Sequence, residues 1–94
     1  MEIYPHLIEL IEKERDYQER KYPNHGHELP GWLLIMHTEL AEAEDAWMKS
    51  TDHESLAEVL QVIATGVAAL QSYSSSDISY VQQILESRWK NAKV

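Results

Sequence analysis

Two pairs of polar side chains, each pair spaced three residues apart, carry the clearest chemical pattern in the sequence. Glu39 and Glu42 form the first pair, and Glu58 and Gln61 form the second. Residues three apart are neighbours on a helix surface. At about 5 Å and an effective dielectric near 20, two carboxylates repel each other by roughly 3 kcal/mol before screening. A hard divalent cation reverses the sign of that interaction, and Mg²⁺ takes carboxylate and amide oxygens, water and phosphate oxygens as ligands.

Glu58 is the only charged residue between Ala57 and Ser76. A lone carboxylate on a largely buried helix is costly unless it is paired, protonated or bound to a metal. A plainer interpretation is also open, because two glutamates at this spacing arise easily by chance in a chain with 16 acids. Glu58 would then be a residue whose carboxylate reaches solvent or pairs at an interface. The metal-site interpretation rests on the combination of both pairs on consecutive antiparallel helices.

Four segments separated by turn residues must position these side chains, and each has the apolar spacing of a helix. One strong break, the loop from Tyr22 to Leu29, is marked by Pro23, Gly26, Pro30 and Gly31. Two weaker breaks lie at Lys49–Asp52 and Ser74–Ser76. The third helix begins with a capping box formed by Thr51 and Glu54, and Ser76 or Asp77 caps the fourth. The predicted helices are residues 5–21, 30–49, 51–73 and 77–92.

Short connections between four helices predict an all-α, antiparallel four-helix bundle that forms a single domain over residues 1–94. The second helix carries an apolar stripe of Leu33, Met36, Leu40, Ala43 and Trp47. The third helix is apolar on most of its circumference and must be covered on several sides. Because four short helices can hardly provide that cover, we expect a homodimer or homotetramer to complete the bundle.

Composition excludes several classes of function. Lys and Arg number 8 against 16 Asp and Glu, so the net charge is −8, which is opposite in sign to the basic surface that binds nucleic acid. The chain has no Cys, which excludes disulfides and thiolate sites. The N-terminus lacks the pattern of a signal peptide, and no apolar stretch is long enough to span a bilayer. We therefore expect a cytoplasmic protein with no membrane or nucleic-acid partner.

The motifs together resemble the MazG-like all-α nucleoside triphosphate pyrophosphohydrolases. That superfamily is marked by E-x-x-E on one helix and E-x-x-D on the next. Glu39, Glu42 and Glu58 match the first three positions, and Gln61 stands at the fourth, where a short bacterial and phage subgroup also has Gln. The resemblance covers about residues 14–70. It is also carried by Glu14-Arg15, Gln18, Lys21-Tyr22, Trp32, Ile35-Met36 and the segment from Glu58 to Ala64.

The resemblance implies a MazG-type fold and Mg²⁺-dependent, or Mn²⁺-dependent, cleavage of a (deoxy)nucleoside triphosphate into the monophosphate and pyrophosphate. Glu39, Glu42 and Glu58 would be catalytic metal ligands, and Gln61 would be the fourth ligand. An amide in place of a carboxylate removes one negative charge. Weaker metal binding, one metal instead of two, or loss of activity would each follow from that change.

Further residues are candidates for substrate binding, and each also has a structural interpretation. Lys21, Arg15 and Arg88 (with Lys90) would contact phosphates, or they are solvated helix residues. Trp32 or Trp47 would stack on a base, although a Trp in an apolar stripe more often belongs to a core or an interface. His37 would touch substrate, or it is a partly exposed structural residue. The sequence His25-Gly26-His27 lacks a third ligand at suitable spacing for Zn²⁺ and is interpreted as a loop.

A second class of function remains open at this point. The chain would be a catalytically degenerate nucleotide binder of the same type, or an acidic helical module for protein interaction. Gln61, the small size and the lack of a firmly placed cationic cluster favour this alternative.

Overall fold

A computed structural model describes residues 1–23 and 26–92 and shows four α-helices in chain order. His25, one member of the His-Gly-His motif, lies outside the described residues. The all-α prediction with four helices is therefore confirmed. The helices are α1 (Pro5–Lys21), α2 (Leu29–Lys49), α3 (Asp52–Gln71) and α4 (Ser75–Asn91).

The helix ends follow local capping chemistry. Pro5 occupies the first turn of α1, where its missing N–H costs no hydrogen bond. The backbone N–H of Glu54 donates to Thr51 Oγ1 at 3.2 Å, which confirms Thr51 as the cap of α3. The predicted cap of α4 at Ser76 or Asp77 is wrong. Ser74 is the cap, and Asp77 is the third helical residue, whose carboxylate accepts from the Ser74 backbone in a complete capping box.

Small residues allow α2 and α3 to pack closely in antiparallel register. Ser55 Oγ donates to the carbonyl of Ala43 at 2.7 Å, a contact that requires the two backbones to lie near each other. Farther along the pair, a Cβ at Gly66 would lie 3.3 Å from Cε of Met36. Early residues of α2 therefore face late residues of α3.

The core of the described chain is small and centres on α3. Packing between helices is concentrated in α2 against α3 and in α1 against α3, so α3 lies between the other two. Trp32 of α2 is 7% exposed and packs with Ala68, Ala69 and the half-buried Ile35. The buried hydrophobic residues are Trp32, Ala43, Ala64, Ala68 and Ala69. Four of these five are alanines, so the core gains little stability from the burial of large side chains.

The fourth helix stands apart from the other three. Its axis is bent by 115° from that of α3, whereas an antiparallel neighbour would reverse direction almost completely. Among the described residues it makes no extensive packing contact with α1, α2 or α3. No described helix alone is long and apolar enough to cross a membrane; α3 and α4 reach that length and composition only as a bent pair.

Enlarging a fully buried alanine should destabilise this packing. Ala64 is 0% exposed, and Ala57 on the same helix is exposed. We expect Ala64→Leu to lower the free energy of unfolding by about 1–3 kcal/mol, because the added carbons overpack the core. Ala57→Leu should change it by less than about 0.5 kcal/mol. Urea midpoints at an unchanged slope give the comparison, and equal effects of the two changes would contradict this packing.

Candidate functional site

The predicted acidic cluster lies where α1, α2 and α3 meet. Glu39 on α2 is half-buried, and three other carboxylates are close enough to act on it electrostatically: Glu42 on the same helix, Glu58 on α3 and Glu14 on α1. The structure thus places two of the glutamates that the spacing singled out, Glu42 and Glu58, within electrostatic range of the third, Glu39. The structure adds Glu14 to this group of carboxylates. The sequence had singled out Glu14 only as part of the family resemblance of the first helix.

Burial and neighbouring charge make the ionised form of Glu39 unfavourable. Burial contributes most and raises the pKa of Glu39 above its ordinary value. A hydrogen bond from the Thr65 hydroxyl lowers the pKa and opposes that effect, while the charges of Glu42, Glu14 and Glu58 raise it further. A carboxylate in this position is destabilising unless a cation or a bound proton offsets its charge.

Two buried carboxylate oxygens have no hydrogen-bond partner among the described residues. They are Oε1 of Glu39 and Oε2 of Glu58, one on each of the two packed helices. Buried polar atoms are normally hydrogen-bonded, so two unpartnered acceptors in one acidic cluster require an explanation. Unpartnered carboxylate oxygens are the donor type that Mg²⁺ prefers, and in this respect the residues fit such an ion.

The described side chains nevertheless do not form a closed metal cage. No three His, Asp or Glu side chains within residues 1–23 and 26–92 converge closely enough to hold a metal ion. Glu39 faces a cleft shared with α1, whereas Glu42 and Glu58 line a separate, open groove beside Thr38 and Asp45. Like charges favour such divergence, so Glu42 and Glu58 would have to turn toward Glu39 to share a cation.

The cleft next to Glu39 has a volume of about 540 Å³. Ligand pockets for small molecules typically fall between ~300 and ~1,000 Å³, so the space is adequate for a nucleotide. The described residues that line it come from all three packed helices and the first connection: Arg15, Gln18, Glu19, Tyr22, Gly26, Trp32, Ile35, Glu39 and Thr65.

Arg15 is the cation of this cleft. Its side chain is only 17% exposed; Nη1 donates to Gln18 Oε1 at 3.0 Å and Nη2 pairs with Glu19 Oε1 at 2.6 Å. Its Nε is buried and has no partner among the described residues. A guanidinium whose two terminal nitrogens each hold one partner, with the N–H of Nε still unused, is suited to bind a phosphate oxygen.

Thr65 links the cleft to the acidic cluster and was missed as a site residue in the sequence. It is 4% exposed, and its Oγ1 accepts from Gln18 Nε2 at 3.3 Å. The single hydroxyl hydrogen is then available for the carboxylate of Glu39, with which Thr65 is hydrogen-bonded. The spacing could have predicted Thr65 as a site residue, because it follows Glu58 by seven residues and therefore lies on the same strip of α3 as Glu58 and Gln61.

The remaining predicted residues occupy different positions. Trp32 lines the cleft but is a core residue whose ring meets His27 edge to face at 5.0 Å between centroids. Gln61 is half-buried, and its backbone carbonyl accepts a hydrogen bond from Gln18 Nε2 at 3.5 Å. Lys21 lies at the surface with its ammonium 5.7 and 5.4 Å from the ring centroids of Tyr17 and Tyr22.

Three further candidates lie away from the cleft. His37 is exposed on α2, and neither the cleft nor the groove of Glu42 and Glu58 includes it among the described lining residues. Arg88 lies on α4 and lines a shallow groove with Tyr80 and Ile84. Trp47 is 65% exposed and belongs to neither site. Within one chain, the structure therefore does not bring Arg88 to the acidic cluster.

Comparisons with protein-family models, with curated proteins and with solved structures found no match to this chain.

Neutralising Glu39 should stabilise the protein in the absence of divalent metal. Because the pKa of Glu39 is raised in the folded state, its ionisation reduces stability above that pKa, and the penalty disappears as pH falls below the ordinary carboxyl range. We expect Glu39→Gln to raise the urea midpoint at pH 7.5 and to lose this advantage near pH 4. Glu44→Gln, on the exposed side of the same helix, is the control; an advantage that grows in acid would contradict the assignment.

Removing the Thr65 hydroxyl should break the hydrogen bonds of both Gln18 and Glu39. Thr65→Val keeps the shape of the side chain but leaves two partly buried polar groups without their partner. We expect a loss of about 1–3 kcal/mol in the free energy of unfolding, with most of it recovered in Thr65→Ser. Equal losses in the two variants would show that the methyl group, and not the hydroxyl, matters here.

Proposed function

We propose that this protein is a Mg²⁺-dependent nucleoside triphosphate pyrophosphohydrolase that releases pyrophosphate and leaves the nucleoside monophosphate. The pair of buried, unpartnered carboxylate oxygens on facing helices is the observation that carries the proposal. Glu39 lies in an environment where its charge is unfavourable, next to a cleft of nucleotide size that contains a buried arginine. A cation bound by both carboxylates, together with an anionic substrate, accounts for all three features.

The four residues of the two motifs would hold the metal. Glu39 and Glu58 offer the unpartnered oxygens, and Glu42 and Gln61 lie one turn away on the same helices. When bound, Mg²⁺ supplies positive charge for the phosphate oxygens and lowers the pKa of a coordinated water. Mn²⁺ takes the same oxygen ligands and would serve in its place. The amide of Gln61 gives the site one negative charge fewer than four carboxylates would.

The residues of the cleft would orient the substrate. Arg15 Nε is a buried donor for a phosphate oxygen, and Trp32 offers part of an apolar wall on the same side. The Lys21 ammonium lies 5.4 Å from the ring centroid of Tyr22, which lines the cleft, so its charge is near one wall. His37 and Arg88 would reach a nucleotide only at its exposed edge or from a second copy of the chain. The proposed enzyme is a cytoplasmic homodimer or homotetramer that removes unwanted nucleotides from the pool.

One observation favours the alternative of a binder without turnover. The carboxylates do not converge into a three-ligand set among the described residues, and Gln61 reduces the charge available to hold a metal. A degenerate protein of this kind would still bind nucleotide through the cleft, whereas an acidic interaction module would not. Calorimetry with Mg²⁺ and a non-hydrolysable triphosphate separates these two cases: binding without turnover indicates the former, and no binding indicates the latter.

The catalytic proposal is tested by pyrophosphate release from a panel of normal and damaged deoxynucleoside triphosphates, with and without Mg²⁺. We expect turnover that requires the metal and falls more than about 100-fold in Glu58→Gln, since even outer-shell partners of metal ligands typically cost 10–100-fold. Glu54→Gln, one turn earlier on the exposed surface of α3, is the matched control and should retain activity. Release that is absent for every substrate, or unchanged in Glu58→Gln, would refute the proposal.

A further inference from the structure

The guanidinium of Arg15 has two partners that are held in different ways. Gln18 is half-buried; its Oε1 accepts from Nη1 at 3.0 Å, and its Nε2 donates to Thr65 and Gln61 of α3 at 3.3 and 3.5 Å. Glu19 pairs with Nη2 at 2.6 Å, its side chain is 67% exposed, and it has no other partner among the described residues. Gln18 is therefore fixed between two helices, whereas the Glu19 carboxylate can turn into solvent.

Arg15 does not depend on Glu19 for its position. Its side chain is only 17% exposed, so burial and the bond to Gln18 both restrict it. An ion pair with one strongly exposed member contributes little to stability, since water screens the charges and both side chains lose rotamer freedom. Glu19 is thus a partner that a stronger ligand can displace while the guanidinium stays where it is.

One edge of the guanidinium is affected by this displacement. Nε and Nη2 lie on the same edge, and their parallel N–H groups match two oxygens of one phosphate. Nε of Arg15 is buried without a partner among the described residues, and Glu19 holds Nη2. While Glu19 is in place, its carboxylate occupies the position of one of the phosphate oxygens. A phosphate can therefore use the whole edge only after Glu19 leaves.

The charges around the cleft oppose a free anion. Among the described lining residues, one cation, Arg15, is accompanied by two carboxylates, those of Glu19 and Glu39. Glu14 lies within electrostatic range of Glu39 and adds a further negative charge. Because like charges repel at such separations, a phosphate that arrives alone is attracted by Arg15 and repelled by the carboxylates. A divalent cation bound to the phosphate reverses the sign of most of these interactions.

We propose that Glu19 is a specificity-determining residue of this cleft: its carboxylate occupies the phosphate-binding edge of Arg15 and is displaced only by a phosphate that carries its own divalent cation. The phosphate then takes the edge of Arg15, and the cation offsets the charges of Glu39 and of the displaced Glu19. Metal-chelated pyrophosphate and phosphate esters are the ligands that fit, and metal-free phosphates are excluded. The phosphate character of the ligand rests on the proposed function, whereas the role of Glu19 does not require turnover.

The opposite role for Glu19, to orient Arg15, makes the opposite prediction. If the ion pair aligned the guanidinium for its ligand, removal of the carboxylate would weaken anion binding. If Glu19 competes with the ligand, removal of the carboxylate strengthens anion binding. The exposure of Glu19, the burial of Arg15 and the independent bond to Gln18 favour competition. The sign of one change in affinity therefore separates the two roles.

Binding of pyrophosphate, measured by calorimetry in the presence of a chelator, tests the competition. We expect Glu19→Gln to bind metal-free pyrophosphate at least about 5-fold more tightly than wild type, since an exposed ion pair no longer has to be broken. Glu12→Gln is the matched control, because Glu12 is exposed about two turns earlier on the same side of α1 and the ion pairs of the described chain do not include it. Weaker binding in Glu19→Gln, equal gains in both variants, or no binding in any of the three proteins would overturn the proposal.

The same titration with Mg²⁺ tests the selection for a chelated ligand. Here wild type and Glu19→Gln should bind pyrophosphate with nearly equal affinity, because the cation offsets the charge that the substitution removes. The same gain in both conditions would show that Glu19 blocks Arg15 without selecting the ligand, and it would refute the proposal. Turnover is not measured in either titration. The expected affinities, combined with no pyrophosphate release from any triphosphate, would refute the enzymatic function alone.

Discussion

The close contact between α2 and α3 is the constraint on which the rest of the molecule depends. It exists because α3 presents small residues to its neighbour, with Gly66 beside Met36 and Ser55 bonded to the backbone at Ala43. Those contacts fix the register of the two helices. The register in turn decides that Glu39 and Glu58 share one side of the pair and that the large apolar residues share the other. One packing contact thus determines where the acidic side and the apolar side of the helix pair lie.

The carboxylates beside the contact between α2 and α3 lower the stability of the fold. A core of alanines contributes little hydrophobic free energy, yet it supports Glu39 together with three other carboxylates close enough to oppose its ionisation. Proteins accept destabilising groups mainly where function uses them. Thr65 donates a hydrogen bond that favours the ionised form of Glu39, and Gln18 donates in turn to Thr65. This arrangement would be superfluous if that carboxylate were an ordinary solvated residue.

Much of this arrangement was predictable from residue spacing. Glu39, Glu42 and Glu58 were found because helix periodicity converts a spacing of three or four residues directly into a shared face. Glu14 could not be placed in the cluster, since its position there depends on the angle at which α1 packs on α3. Thr65 was missed although it lies on the same strip of α3 as Glu58. The cap of α4 was misplaced for a local reason. Three consecutive serines are equivalent in sequence, and only the position of Asp77, three residues after Ser74, selects among them.

The direction of α4 was the least predictable feature, and it follows from what the rest of the chain can cover. A short connection normally returns a helix along its predecessor. Here the far side of α2 and α3 is already wide and apolar, and one neutral helix of 17 residues cannot cover two others. If α4 lay on its own α3, it could cover only part of this apolar side, and the large side chains of α2 would still meet water. By pointing outward, α4 leaves the large apolar side chains of both helices exposed.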